Sequence, residues 1–282
     1  FAAIEARVLT WMVGDAELLN VFRNGGDVYV HDAQGIDAMP CAHTFRKGCP
    51  ACDAGRQLGK VCRLALGYQM GVVKFADTGG ASGVGMTLKE WRAIHSAWRE
   101  TNPLVVEFWR KLEDAARDAI AAPGRVFGFA KCKLMVKRGA LRIRLPSGRE
   151  LYYWKPRVRK TTKKVQIVDE DGVIHEREME TDSIQFYRPQ GGRMMLEDTY
   201  GGKLVENVVQ ATARDLLGFS MTELARHGGY PIVMHVHDSI ATEVPEGTGS
   251  VDEFQAIMER VPKWAQGLPQ AVDAYRSRRF KG

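Results

Sequence analysis

The feature that most restricts the fold is a block of strand patterns, residues 125–187, that lies between two helical regions. The turn sequences Pro146-Ser147-Gly148 and Asp169-Glu170-Asp171-Gly172 divide this block into hairpins. A long helix is predicted after it, over residues 202–226. Because helices and strands are grouped along the chain in a mixed order, the sequence predicts an α+β fold. The 282 residues are enough for one large domain or two smaller ones with cores.

Local signals mark the ends of several helices. Thr87-Leu88-Lys89-Glu90 has the spacing of a capping box, and Asn102-Pro103 is typical of a helix start with proline at the first helical position. A further helix is predicted over residues 53–72, followed by a loop that starts at Thr78-Gly79-Gly80. Tryptophans 91, 98 and 109 fall in helices and are predicted to be core residues.

The charge balance favours a polyanionic partner. The chain has 40 Lys and Arg against 34 Asp and Glu, a net charge of +6, and cations bind phosphates with release of counterions. An ordinary basic protein is the alternative. No apolar run approaches the roughly 20 residues of a membrane span, and no signal peptide is visible. Five cysteines in a chain of this length indicate a reducing compartment, so a cytoplasmic location is expected.

Two groups of residues could carry chemistry. On the helix over residues 53–72, Arg56, Lys60, Leu64 and Tyr68 follow one another at i+4 steps, and Arg63 lies close to the same face. Three cations and an aromatic ring suit a triphosphate and a stacked base, although a solvated basic face is the simpler interpretation. Asp238 lies in a predicted turn between two short apolar strands, residues 231–236 and 240–244. A rigid carboxylate suits Mg²⁺, but aspartate is also common in turns.

Taken in order, these segments resemble the family A DNA polymerases, the group of bacterial DNA polymerase I and related phage enzymes. FAAIEARVLTWMVGD resembles motif A after its aspartate, residues 56–68 resemble motif B, with R-x3-K-x7-Y spacing, and residues 234–238 resemble motif C. TYGGKLVENVVQATARDLL resembles the palm helix that touches primer–template. LRIRLPSGRELYY and KWAQGLPQAVDAYRSRRFKG are most similar to phage and prophage members. The resemblance covers nearly the whole chain.

The resemblance implies a right-hand polymerase with an antiparallel palm sheet and mainly helical fingers. Residues 1–20 would belong to the palm, residues 21–188 to the fingers with the motif B helix and a β-hairpin insertion, and residues 189–282 to the palm with motif C. The thumb and the exonuclease-like domain would be absent. Such a protein joins deoxynucleotides to a primer by phosphoryl transfer with two Mg²⁺ ions. Its partners would be primer–template DNA and dNTPs, and it is expected to be a monomer that functions in DNA replication or repair.

Individual roles also follow from the resemblance. Catalysis is assigned to Asp238, as the magnesium ligand, and to Lys60, as a candidate proton donor to the leaving phosphates. Glu5 is the expected steric gate against a ribose 2′-hydroxyl, and Arg7 is expected to brace that site. Nucleotide binding is assigned to Arg56, Lys60, Tyr68, Glu5 and Leu64. Primer–template contact is assigned to His237, Gln210, Asn207, Lys203 and Arg7.

The chain also departs from the family pattern. The motif A aspartate is expected immediately before Phe1, so the chain by itself is expected to be inactive in primer extension. Ser239 follows Asp238 where the family usually has Glu. Leu64 occupies a position that is usually aromatic, and Gln69 follows Tyr68 where Gly is common.

A cysteine cluster precedes the fingers helix. Cys41, His43, Cys49 and Cys52 place four soft ligands within a dozen residues, which makes them a candidate structural zinc site. Reduced surface thiols are the alternative. Cys62 and Cys132 are predicted to be buried small residues.

Two other functions compete with the DNA polymerase. A single-subunit RNA polymerase has related motifs, but a gate carboxylate at Glu5 argues against it. A degenerate DNA-binding remnant with a basic cleft is the second. The basic run of residues 155–164 is predicted to be the solvated flank of a hairpin, with a template-strand contact as its alternative.

Overall fold

The structure is a computed structural model that describes residues 1–39, 41 and 44–279, and it has the predicted α+β architecture. The first part of the chain is helical, with α1 Ile4–Val13, α2 Ala16–Arg23, α3 Val28–Gly35, α4 Pro50–Leu66, α5 Val72–Ala81, α6 Leu88–Thr101 and α7 Pro103–Ala121. The strands that follow are β1 Phe127–Phe129, β2 Cys132–Lys137, β3 Ala140–Arg144, β4 Glu150–Val168, β5 Ile174–Gln190 and β6 Arg193–Thr199. The last part contains α8 Gly201–His227, β7 Ile232–Val236, β8 Ser239–Thr242, α9 Val251–Met258 and a short 3-10 helix, Lys263–Ala265.

Strands β1 to β6 form one antiparallel sheet in which each strand pairs with the next in sequence. The chain turns between β3 and β4 and between β4 and β5 at the predicted sequences. Strands β4 and β5 are 19 and 17 residues long and pair as a ribbon longer than the other hairpins. The basic run of residues 155–164 lies in β4 with most of its side chains exposed, as predicted. This sheet falls mainly in the range that the resemblance assigned to the fingers and their insertion.

The predicted helix over residues 53–72 is displaced, and the loop predicted after it is wrong. Helix α4 begins at Pro50 and ends at Leu66, and the Thr78-Gly79-Gly80 sequence lies inside α5. A Cβ atom on Gly79 would lie 2.1 Å from a ring carbon of Trp91. Glycine at this position therefore serves close packing of α5 against α6, not a turn.

The ends of α6 and α7 are as predicted. The Thr87 hydroxyl accepts from the Glu90 amide, and the Glu90 carboxylate accepts from the Thr87 amide, which completes the capping box. Helix α7 begins at Pro103. Tryptophans 91, 98 and 109 are buried, as are Cys62 and Cys132, so these core predictions are confirmed.

Close helix contacts at glycines determine how α3, α4 and α8 meet. A Cβ atom on Gly59 in α4 would lie 2.0 Å from the Tyr29 carbonyl oxygen, and one on Gly202 would lie 2.3 Å from the Tyr68 carbonyl oxygen. The Gly202 amide also donates to the Gln69 side chain at 2.8 Å. Thus α3 packs tightly on α4, and the first turn of α8 is fixed against the residues that follow α4.

The main hydrophobic core joins α1, α4, α6, α7 and α8 with strands β2 to β5. A smaller cluster packs the end of α8 against α9, Tyr230 and Val272. Among the described residues, no helix is both long and apolar enough to cross a membrane.

Candidate active site

Five segments that are far apart in sequence meet around one open cavity of about 560 Å³. Its lining includes the start of α1, Tyr29 from α3, Leu64 from α4, the middle of α8 and the β7–β8 turn. The residues that the resemblance had singled out and that line it are Glu5, Leu64, Gln210, His237 and Asp238. The fold therefore brings these predicted site residues together, although it does not by itself assign their roles.

Glu5 and Tyr68 form a hydrogen bond that links α1 to the residues that directly follow α4. The Tyr68 hydroxyl donates to the Glu5 carboxylate at 2.8 Å. Burial raises the pKa of Tyr68 well above its ordinary value, and the Glu5 charge adds to the shift. The phenol therefore stays protonated and can act as the donor at every physiological pH. This bond holds the Glu5 carboxylate at the cavity.

The Asp238 carboxylate is carried by a two-residue turn. Because Val236 pairs with Ser239, only His237 and Asp238 lie between β7 and β8, so the turn is at the predicted place but one residue shorter than the predicted turn of residues 237–239. His237 has a φ of 51°, in the left-handed region that histidine tolerates better than most residues. His237 is exposed and Asp238 is half-buried. A positive φ is common at the central residues of two-residue hairpin turns.

The three cations of α4 do not share one surface. Arg63 is buried and forms a bidentate ion pair with Asp32 of α3, with 2.6 Å between Nε and Oδ2, and its guanidinium lies over the ring of Trp98. The hypothesis that Arg63 belongs to a phosphate-binding face is therefore wrong. Helical periodicity correctly places Arg63 near Arg56 on α4, and both arginines form ion pairs with aspartates of the α3 region.

The two cations assigned to the triphosphate are more accessible. Arg56 is half-buried, pairs with Asp27 at 2.5 Å and lies over the ring of Tyr29, which lines the cavity. Lys60 is half-buried one turn further along α4. A phosphate group could recruit Arg56 only by competing with the Asp27 carboxylate.

Helix α8 presents one face to the cavity. Gln210, Ala213, Arg214 and Leu217 line it, which is the i, i+3, i+4, i+7 spacing of a single helix face. Two other residues assigned to DNA lie earlier on the same helix and have protein partners here. Asn207 donates to the Tyr153 hydroxyl at 2.9 Å, and Lys203 pairs with Glu206 at 3.1 Å.

Arg7 connects two segments that are far apart in the sequence. Its guanidinium is buried and donates to the carbonyl oxygens of Ala2 and Pro269, both at 2.8 Å, and it lies over the ring of Phe22. These contacts tie the start of the chain, which carries Glu5, to the segment after α9. In this structure the guanidinium is engaged inside the protein and not at the cavity surface.

Two of the polar residues that line the cavity, Tyr29 and Arg214, were not predicted from the sequence. Arg214 could have been found, because it lies one turn after Gln210 on the same helix face. Tyr29 could not, since only the packing of α3 on α4 brings it to Leu64. The structure also gives Gln69 a role: its backbone has a φ of 64°, which explains why glycine is common there, and its side chain binds the first turn of α8.

The thiols of Cys41, Cys49 and Cys52 form a second cluster, and their Sγ atoms all lie within 4.8 Å of one another. The Cys41 and Cys49 sulfurs are 3.8 Å apart. The Cys52 amide at the start of α4 lowers the pKa of Cys49, while burial and the neighbouring thiols raise the pKa of Cys41 to about 11. His43, the fourth ligand predicted from the sequence, lies outside the described residues.

Comparison with known proteins gives one clear relationship. No protein-family model matches the chain. The DNA polymerase of Bacillus phage SP02 is 37% identical to it over 275 residues, which are 98% of this chain and 39% of the relative. The chain thus spans about two fifths of the length of that relative. Nearly all of this chain is therefore related in sequence to part of a phage protein named DNA polymerase, which supports a phage-type DNA polymerase origin.

Proposed function

We propose that this chain forms the nucleotide-addition site of a DNA-directed DNA polymerase, a nucleotidyltransferase that extends a primer on a template strand. The observation that carries the proposal is the cavity, where segments resembling motifs A, B and C and the palm helix meet. The relationship to a phage DNA polymerase supports the same function. In this proposal residues 1–20 and 189–282 form the palm, and residues 21–188 form the fingers.

The incoming dNTP would lie between α4 and the β7–β8 turn. Lys60 and Arg56 would attract its triphosphate, with Arg56 exchanging the Asp27 carboxylate for phosphate oxygens. Lys60 would also donate a proton to the leaving pyrophosphate. Glu5, held by the Tyr68 hydroxyl, would occupy the space that a ribose 2′-hydroxyl requires, which favours deoxynucleotides.

The primer–template would lie along the face of α8. Gln210 and His237 both line the cavity, and we propose that both contact the primer end. Arg214 approaches the His235 ring at 3.4 Å on the same side and adds a cation to this surface. A cation here would bind the phosphate backbone, and binding should weaken as salt concentration rises.

Asp238 fits a magnesium site because such sites use one or two carboxylates together with substrate phosphates. When bound, magnesium would neutralise developing charge on the attacking and leaving oxygens. The Phe1 backbone nitrogen lies 3.1 Å from the Asp238 carbonyl oxygen, so a residue joined to Phe1 would lie beside Asp238. An aspartate at that position would supply the second carboxylate that the resemblance implies.

The test is primer extension by a polypeptide in which these 282 residues replace the matching region of the phage SP02 relative. The parent fusion should extend a primer with dNTPs and Mg²⁺. Asp238→Asn should reduce the rate by at least about 100-fold, because a charge is lost where the transition state needs it. Asp252→Asn is the matched control, since Asp252 is an exposed aspartate at the start of α9. It should change the rate by about twofold or less.

Two results would overturn the proposal. One is equal extension by the parent fusion and the Asp238→Asn variant. The other is a folded fusion that binds primer–template in a salt-dependent way but adds no nucleotide, which would favour a DNA-binding remnant.

A further inference from the structure

The cysteine cluster has the dimensions of a metal site. Cys49 caps α4, Cys52 lies in the first turn of that helix, and Cys41 comes from the segment after α3. A tetrahedral zinc ion with Zn–S bonds of about 2.3 Å requires sulfur–sulfur separations of about 3.8 Å. The Cys41 and Cys49 sulfurs are 3.8 Å apart, and the three sulfurs together span no more than 4.8 Å. The thiols are therefore already close to the positions of zinc ligands.

The same distances argue against a disulfide in this state. A disulfide bond is about 2.05 Å long, roughly half the separation of the Cys41 and Cys49 sulfurs. Soft thiolate ligands select zinc over magnesium or calcium. Cys52 is fully buried and the other two thiols are half-buried, so the cluster is shielded from bulk solvent on the side of the helix.

We propose that Cys41, Cys49 and Cys52 bind a structural zinc ion that fixes the segment after α3 to the start of α4. The described residues supply three ligands, which leaves the fourth position to another ligand or water. The ion would hold the first turn of the helix that carries Arg56, Lys60 and Leu64. The inference does not depend on polymerase activity, because its site is separate from the cavity that contains Asp238.

Metal analysis of the 282-residue chain tests this inference. Protein produced with zinc and purified under reducing conditions without chelator should contain about one zinc per chain. Cys49→Ala/Cys52→Ala should lose it. The matched control is Cys62→Ala/Cys132→Ala, which removes two buried thiols outside the cluster and should retain the zinc. Circular dichroism would establish that each variant is folded.

A second measurement removes the ambiguity of a variant that fails to fold. Cobalt(II) added to the zinc-free parent chain should give a thiolate-to-cobalt charge-transfer band with the intensity of at least three thiolates, and the d–d bands of a tetrahedral ion. Zinc should then displace the cobalt and abolish both sets of bands. Failure of the parent chain to retain zinc, a cobalt spectrum without the thiolate band, or equal zinc in the Cys49/Cys52 variant would each overturn the proposal.

Discussion

The buried ion pair between Asp32 and Arg63 should be a major determinant of stability. Each side chain is only 1% exposed, two hydrogen bonds join them, and the guanidinium also lies over the ring of Trp98 of α6. Asp32→Asn would leave the Arg63 charge buried without its counterion. Removing one partner of such a pair costs about 3–5 kcal/mol, a large part of the roughly 5–15 kcal/mol that stabilises a typical domain.

A matched variant on the same two helices separates burial from charge. Arg56 and Asp27 form a similar pair between α4 and α3, but their side chains are 37% and 32% exposed. Because water screens that pair, Arg56→Met should cost only about 0–1 kcal/mol. The double variant Asp32→Leu/Arg63→Met should recover most of the stability lost in Asp32→Asn, since it removes both buried charges.

Urea unfolding followed by circular dichroism would give the free energy of unfolding for each variant. We expect Asp32→Asn to lower the free energy of unfolding far more than Arg56→Met does, and the double variant to be more stable than Asp32→Asn. A cost for Asp32→Asn no larger than that for Arg56→Met would refute the assignment of Asp32–Arg63 as the buried pair that holds α3 on α4.

Two further predictions concern Glu5 and His95. In the fusion used for primer extension, Glu5→Ala should increase incorporation of ribonucleotides relative to deoxynucleotides, because the gate against the 2′-hydroxyl is removed. Competition between the two nucleotides on one primer would measure the incorporation ratio. An unchanged ratio would contradict the role of Glu5. His95 is buried beside Arg99, and burial lowers its pKa from 6.5 to about 4. His95 therefore binds a proton near pH 6.5 in the unfolded chain but only near pH 4 in the folded protein. Its contribution to folding stability is fully present above pH 6.5 and is lost progressively as the pH falls towards 4. His95→Gln should remove about 2 kcal/mol of the stability difference between roughly pH 7 and pH 5, and identical pH profiles for the two proteins would contradict this.

The local features of the fold were accessible from the sequence. The capping box at Thr87, the helix start at Pro103 and the turn at His237-Asp238 depend on a few neighbouring residues, so their patterns predict them well. The α+β class followed from the grouping of strand patterns in residues 125–187. The motif resemblance also selected residues that the fold brings into one cavity, from Glu5 to Asp238.

The remaining features depend on long-range packing. Helical periodicity placed Arg63 near Arg56 on one side of the helix. It could not predict that Arg63 forms an ion pair with Asp32 in the core. Because glycine is frequent in loops, Gly79 predicted a loop. Only the close approach of the Trp91 ring, which leaves no room for a side chain at residue 79, shows why glycine occurs inside this helix. Likewise, the bond from the Gly202 amide to Gln69 joins residues 133 positions apart, beyond the reach of any local pattern.

The central claim is tested most directly by mapping which residues of the protein contact the 3′ end of a growing primer. A primer with a photoreactive 4-thiothymidine at its 3′ end would be crosslinked to the fusion in the presence of template, Mg²⁺ and the complementary dNTP. The proposed site predicts crosslinks on the cavity segments, namely residues 1–6, 64–68, 210–217 and 235–238. Crosslinks confined to the exposed basic run of β4, residues 155–164, would contradict it.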